Sequence, residues 1–376
     1  MKKVLTLAVL LLMVALSFST IRVWFSWEGE DEFRKIVKEF TRETAIKVEV
    51  NYIRKTEEKF ITTARSSSRF LPDLVLVQSS SLPYIEDYLQ PLSENFLSKL
   101  SDKSKKAFTY KGEIYALPFY FDIGGVILYN KDIVNPPKGA SFEQLVKMAN
   151  YAKTKRGFLV PIYGSYFYTI FYRSFNHYQL TLDKSFTFKD EATKKTLKFC
   201  IKLFHKIRGL PLDREGLTAA FMRGESGMMM IGSFIIPVVK RKKIKVGIAD
   251  VPYIEAAKGY LSANLDYKGF VVPKGRLSNE VKKFLEFLSR RSVQEKFCKG
   301  LYKFPSNEKA FEALKDYDEI FAKIYEYSKY AEPLPVSKLT KPFYEAVRTM
   351  LSRLISGEED IDRLTDAAEK ILEQWR

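Results

Sequence analysis

Residues 21–50 read IRVWFSWEGEDEFRKIVKEFTRETAIKVEV. Positions 21–27 are apolar and aromatic, as a largely buried strand is. Phe33, Ile36, Val37 and Phe40 then recur at helical spacing, so the next segment has one apolar face. From 46 to 53 the pattern alternates, with Val48, Val50 and Tyr52 on one side of a second strand. A helical stretch at 55–65 leads to the short apolar run 73–77, suited to a parallel strand covered on both faces. The order β-α-β-α-β predicts an open α/β sheet with helices on both sides. Ligands of such sheets bind beyond the carboxyl ends of the strands. Those ends are Ser26, Trp27 and Glu28 after the first strand, and Gln78, Ser79, Ser80 and Ser81 after the third.

The segment before this unit has the form of an export signal. Lys2 and Lys3 precede an almost wholly apolar run from Val4 to Leu16, and Ser17 and Ser19 offer a cleavage site before Thr20. The run is shorter than the roughly 20 residues that span a bilayer. No cysteine lies near the cleavage region, so a periplasmic or extracellular protein without a lipid-anchor cysteine is expected. Cys200 and Cys298 fall in helical patterns among apolar neighbours and are expected to stay free in different lobes.

The chain of 376 residues is long enough for two domains, and 46% hydrophobic residues can supply sizeable cores. The net charge of +17 falls to +15 without Lys2 and Lys3. Basic residues alternate with acidic ones along 28–47 and 308–329, and the dense run Lys240-Arg241-Lys242-Lys243 reads as a solvated turn. Nucleic acid is therefore not an expected partner. The Lys/Glu-rich surface fits a thermophile-like composition.

Downstream, residues 110–118 read as a hairpin and 119–129 as an extended segment broken by Gly124-Gly125. Helices follow at 142–152, 191–207 and 217–223, with strands at 227–231, 245–251 and 270–272 and a helical tail from 279.

Seven segments carry a resemblance in a fixed order. They are VWFSW (23–27), FTRETAIKV (40–48), PDLVLV (72–77), YKGEIYALPFY (110–120), LYNKDIVNPP (128–137), AAFMRGESGMMMIGSF (219–234) and PFYEAVRTMLSRLISGEEDIDRLTDAAEKI (342–371). Together they resemble ABC-transporter extracellular solute-binding proteins of the carbohydrate class, which includes maltose-binding protein. The resemblance implies a periplasmic-binding-protein type II-like fold, with two α/β lobes, a hinge and an interlobe ligand cleft. Lobe one would hold 20–121 plus 268–318, and lobe two 122–267 plus 319–376. The chain would cross between lobes near 121–125, 262–268 and 316–322, with Gly124-Gly125 permissive for the hinge. The implied function is reversible binding of a carbohydrate by a monomer that delivers it to ABC permease transmembrane subunits, with no cofactor.

The resemblance also implies a pocket. Trp27 and Glu28 match the loop after the first strand, and Ser79, Ser80 and Ser81 the loop after the third. Some maltose binders have a carboxylate and a base at the second loop, where this chain has only hydroxyls. Asp122 matches an acidic sugar ligand in the hinge segment. Tyr166 and Phe167 match an aromatic pair, and Phe234 and Tyr344 stand at tryptophan positions. Asn264 and Asp266, with Tyr267, lie near the returning crossing. Sugars present apolar ring faces and hydroxyl rims, so aromatic plates beside carboxylates, amides and hydroxyls are the matching chemistry. Phe234, Tyr344 and Asp122, lining a solvated cleft, are expected to govern affinity and leave the melting of the unliganded protein unchanged.

Two other readings use the same residues. The positive charge suits an anionic ligand, such as a uronate oligosaccharide or a sugar phosphate. An exported glycosidase would need two carboxylates flanking one bond, and nothing in the spacing brings Glu28 and Asp122 together. The chain lacks H-E-x-x-H, G-x-S-x-G and a phosphate-loop motif, and has only His177 and His205. Paired tyrosines such as Tyr166 and Tyr168 would suit ferric iron. An enzyme is not expected.

Overall fold

A computed structural model describes residues 20–93, 97–161, 164–209 and 213–376. The export signal at 1–19 lies outside the described residues. Strand β1 (Ile21–Phe25) is followed by helix α1 (Glu30–Thr44), β2 (Val48–Tyr52), helix α2 (Thr56–Ser66) and β3 (Leu74–Gln78). β1 lies between β2 and β3 and is parallel to both. Helix α1 begins with Glu30, Asp31 and Glu32, whose carboxylates favour the positive end of the helix dipole. Its buried residues are the four predicted, Phe33, Ile36, Val37 and Phe40. Phe33 stacks on Phe25 at 4.6 Å and on Phe270 at 5.3 Å, which ties the helix to the sheet.

Among the described residues the main sheet has nine strands. The remaining members are β4 (Ala116–Asn130), β5 (Met228–Gly232), β6 (Val246–Ile248), β7 (Asn264–Val271), β8 (Phe304–Pro305) and β9 (Glu332–Pro333). The fifteen residues of β4 form one continuous strand. From Ala116 to Gly124 it pairs antiparallel with β7, and from Gly124 to Asn130 with β5 and β6. The chain does not break at Gly124-Gly125. Gly125 has φ +99° and sits where the register shifts between Gly124 and Val126, so the pair forms a bulge within a strand. Similarly, the strand expected at 270–272 begins at Asn264 and reaches β3 only at Lys268.

β4 and β7 thus run through both α/β halves. One half packs on Phe25, Phe33, Phe119 and Phe297, the other on Phe142, Phe158, Phe171 and Phe199. A third connection follows Leu314 and enters the helix Glu319–Lys329, whose Tyr327 hydroxyl accepts from the Ile127 amide at 3.4 Å. Cys200 and Cys298 are free and buried in different halves, and burial pushes the Cys200 thiol up to about 12.

Candidate functional site

Alternation along the two crossing strands gives them unlike faces. Asp122 and Gly124 of β4 pair with Asp266 and Asn264 of β7, and Tyr120 pairs with Lys268. Directly opposed residues share a face, so these side chains converge on one side of the sheet. Phe121, Leu265 and Tyr267 take the other side and line a separate groove of about 490 Å³. The polar side opens into a cleft of about 630 Å³ whose walls include Gln78, Asp122, Gly124, Tyr166, Phe167, Arg214, Glu215, Phe234, Asp266 and Arg348. A shallow surface groove of about 750 Å³ over α1 and β2 is larger, but one helix face and an edge strand make most of its wall. Facing charged groups and aromatic rings converge in the interlobe cleft, which is therefore the candidate site.

Beneath the cleft lies a buried charge cluster. Asp122 accepts from Lys303 at 3.0 Å through each oxygen and from Lys268 at 3.2 Å. Ser233 donates to the same carboxylate at 3.3 Å and accepts from the Ile123 amide at 3.1 Å. Lys268 also pairs with Asp266 at 2.8 Å, and Lys303 with Glu28 at 3.1 Å. The Gln78 amide donates to Asp266 at 2.8 Å. The side chains of Asp122, Lys268 and Lys303 are 6%, 5% and 2% exposed. Burial pushes the Asp122 carboxyl up, but the Lys303 and Lys268 ammonium groups outweigh it and hold the group below its ordinary value. For Lys268, burial acts downward and the Asp266 and Asp122 carboxylates prevail, so its ammonium is held above the ordinary range. Asp122 is thus saturated by protein donors and belongs to the foundation of the cleft. Asp266 is half-buried at the wall.

Helix α3 (Ser165–Phe175) presents Tyr166 and Phe167 to the cleft. Its placement depends on Arg173, which is buried and donates to Asn264 Oδ1 at 2.6 Å and to the Glu332 and Pro333 carbonyls at 3.1 and 2.6 Å. Asn264 in turn donates to the Tyr166 carbonyl at 2.8 Å and to Thr169 Oγ1 at 2.7 Å. Its amide is therefore engaged in holding α3 against β7. Burial, and then the nearby Asp266 carboxylate, push the Tyr166 phenol well above its ordinary value, so it stays neutral. Tyr168 points elsewhere and packs on Tyr172 at 6.3 Å, so the two tyrosines do not share a site. No metal-holding group of three His, Cys, Asp or Glu occurs among the described residues.

Of the residues named from sequence, Asp122, Tyr166, Phe167, Phe234 and Asp266 line the cleft. Trp27 is half-buried with the Lys268 ammonium 5.9 Å from its ring, and Glu28 meets the site through Lys303. Ser79 is buried, and the Ser81 hydroxyl donates to Glu57 at 3.2 Å. Ser79, Ser80 and Ser81 form a turn just behind Gln78, and Gln78 is the residue of that loop in the cleft wall. Tyr344 is half-buried on the helix Thr340–Ile355 with its hydroxyl enclosed, while Arg348, one turn on, reaches the wall. Lys268, Lys303, Arg173, Arg214 and Arg348 are further residues of the site and its support, absent from the sequence-based expectation. The polar-apolar alternation Asn264-Leu265-Asp266-Tyr267-Lys268 was a usable signal for the first.

A family model described as bacterial extracellular solute-binding protein matches residues 35–322, and the chain belongs to that family. A maltooligosaccharide ABC transporter solute-binding lipoprotein of Streptococcus pneumoniae is 23% identical over 300 residues, 73% of this chain and 70% of the relative. A maltotriose-binding protein of Pyrococcus abyssi is 29% identical over 189 residues, 47% of this chain and 39% of that protein. Among solved structures, a cyclo/maltodextrin-binding protein complexed with maltotetraose matches with a TM-score of 0.82 at 18% identity, over 95% of this chain and 97% of that one. The Thermus thermophilus maltotriose binding protein bound with maltotriose matches with a TM-score of 0.77 at 22% identity, over 95% and 100%. These likenesses establish the fold.

Proposed function

We propose that this member of the bacterial extracellular solute-binding family is the receptor of an ABC importer, taking a neutral oligosaccharide of the malto type into the cleft. One observation carries the choice of ligand. The cleft combines the rings of Tyr166, Phe167 and Phe234 with charged groups that, Arg348 apart, are largely balanced within the protein. Lys268 and Lys303 are neutralised by Asp122, Asp266 and Glu28, and Arg214 by Glu215 at 2.6 Å. The rings suit the apolar faces of pyranoses, while Asp266 and Gln78 suit their hydroxyls. The names of the relatives support the same class.

Lobe one, 20–121 with 268–318, and lobe two, 122–267 with 319–376, would close on the ligand about the crossing strands. The protein would act as an exported monomer, released by cleavage before Thr20, and pass the sugar unchanged to permease subunits. Neither Cys200 nor Cys298 could carry a lipid tether, because both are buried.

An acidic sugar is the second reading, and Arg348 favours it. This guanidinium lines the cleft and makes no ion pair among the described residues. Titration calorimetry of the mature protein with maltotriose, maltotetraose, a uronate trisaccharide and glucose 6-phosphate separates the two. Binding of the neutral sugars, recovered intact, is expected. Binding of the acidic ligands alone would replace the first reading by the second, and altered saccharide would overturn the receptor assignment.

A further inference from the structure

Gly124 and Gly232 are register partners on β4 and β5, and each lies under an aromatic ring of the cleft. A Cβ added to Gly124 would stand 2.6 Å from Cζ of Tyr166, with the phenol oxygen closer still. A Cβ added to Gly232 would stand 2.6 Å from Cδ1 of Phe234. Ordinary contacts between carbon atoms fall near 3.5–4.0 Å, so neither ring could keep its place over an alanine.

The backbone does not demand glycine at either position. Gly232 has φ −87° and ψ 152°, an extended conformation open to any residue. Gly124 is not among the positive-φ glycines, whereas its neighbour Gly125 is, at +99°. The two adjacent glycines therefore serve different ends. Gly125 satisfies the bulge, and Gly124 vacates the surface beneath a ring.

Opposed residues of an antiparallel pair project to the same face, with Cβ positions about 4.5–5.5 Å apart. The two bare positions hence form one shallow floor spanning the β4–β5 boundary. Tyr166 reaches it from helix α3, and Phe234 folds back over it from the turn after β5. The Arg214 guanidinium lies 5.7 Å from the Phe234 ring.

We infer that Gly124 and Gly232 are positioning residues for ligand binding: they set the depth at which the Tyr166 and Phe234 rings lie, and so the height of the cleft left for a sugar. The inference rests on the reading of the cleft as a saccharide site. An alanine at either position pushes its ring up into the space a pyranose would occupy. The atoms that must yield belong to the ends of side chains beside an open cleft, so the fold survives the substitution.

Maltotriose binding is measured by calorimetry for wild type, Gly124→Ala, Gly232→Ala, Tyr166→Ala, the double variant Gly124→Ala/Tyr166→Ala and the control Gly300→Ala, whose Cβ would meet nothing within 4 Å. Gly124→Ala and Gly232→Ala are each expected to weaken binding by at least about tenfold. In the Tyr166→Ala background the penalty of Gly124→Ala should shrink to within about threefold, because the ring that transmits it is gone. Equal penalties in both backgrounds, or none in either, would overturn the inference. A second arm needs no ligand. The 13C-tyrosine ring signal assigned by Tyr166→Phe should move in Gly124→Ala and stay fixed in Gly300→Ala; a stationary signal in Gly124→Ala also overturns the inference. Wild type that binds no saccharide refutes the functional reading instead, and the ring signal then decides whether the glycine seats the ring.

Discussion

Asp122→Asn replaces a buried carboxylate by an amide of nearly the same shape and leaves two ammonium groups facing it. Lys303 then keeps only Glu28 at 3.1 Å, a side chain 64% exposed, and Lys268 keeps Asp266 at 2.8 Å. Removing one partner of a buried ion pair costs about 3–5 kcal/mol, because the charge left behind has lost its compensation. The two surviving carboxylates place this case near the lower end, at about 3 kcal/mol. Unfolding entropy is about 2.1 cal/mol/K per residue, so over a chain of this length such a loss lowers Tm by about 4 °C. Scanning calorimetry of the unliganded mature protein measures it, with maltotriose titration on the same samples. A lower Tm together with weaker binding is expected, since the cluster supports the cleft floor from below. The sequence alone suggested the opposite for this residue, unchanged melting and lost affinity, because it placed Asp122 on a solvated wall. Unaltered melting with binding weakened tenfold or more would restore that view and refute the ion-pair argument.

Three further outcomes follow from the same geometry. Asp122 is held below its ordinary value of 3.8, so its contribution is full above that pH and is lost as pH falls through the depressed folded value; the Tm gap between wild type and Asp122→Asn should close in strong acid, and a gap that persists there would contradict the assignment. Lys268 is held above its ordinary value of 10.5, so its contribution is full below that pH and is lost only as pH rises through the raised folded value; the Tm gap between wild type and Lys268→Met should hold steady from neutral pH up to that alkaline limit, and a gap that closes well before it would count against the pairing. Arg173→Leu removes three hydrogen bonds that clasp α3 to β7 and β9, and urea titration should record a loss of about 3 kcal/mol or more; a change below 1 kcal/mol would leave α3 held by packing alone.

Residues 21–78 declared their fold because burial there is written locally: one face of α1 and both faces of β1 and β3 are largely apolar. Phe33, Ile36, Val37 and Phe40 make one buried helix face, which packs on the sheet and on the helix Asn279–Leu288, so periodicity suffices to find them. The cleft was legible only in part. Phe234 and Tyr166 could be named as aromatic residues at element ends, where exposure follows from local structure. By contrast, the state of Asp122 depends on Lys268, from β7, and Lys303, from the residue just before β8, which lie 146 and 181 residues away in the chain. No local pattern announces that two ammonium groups will meet one carboxylate. Gly124 and Gly125 divide the matter in the same way. Their sequence reads as one flexible pair, and both are small for local reasons as far as periodicity can tell. The fold assigns Gly125 to a bulge with positive φ and lays Tyr166, from a helix forty residues on, over Gly124. Composition and periodicity determined which surfaces are buried, since burial depends on neighbours a turn or a strand pitch away. Which polar groups are spent within the protein and which remain for a ligand was decided by contacts between distant segments, where charge compensation and ring contact first arise.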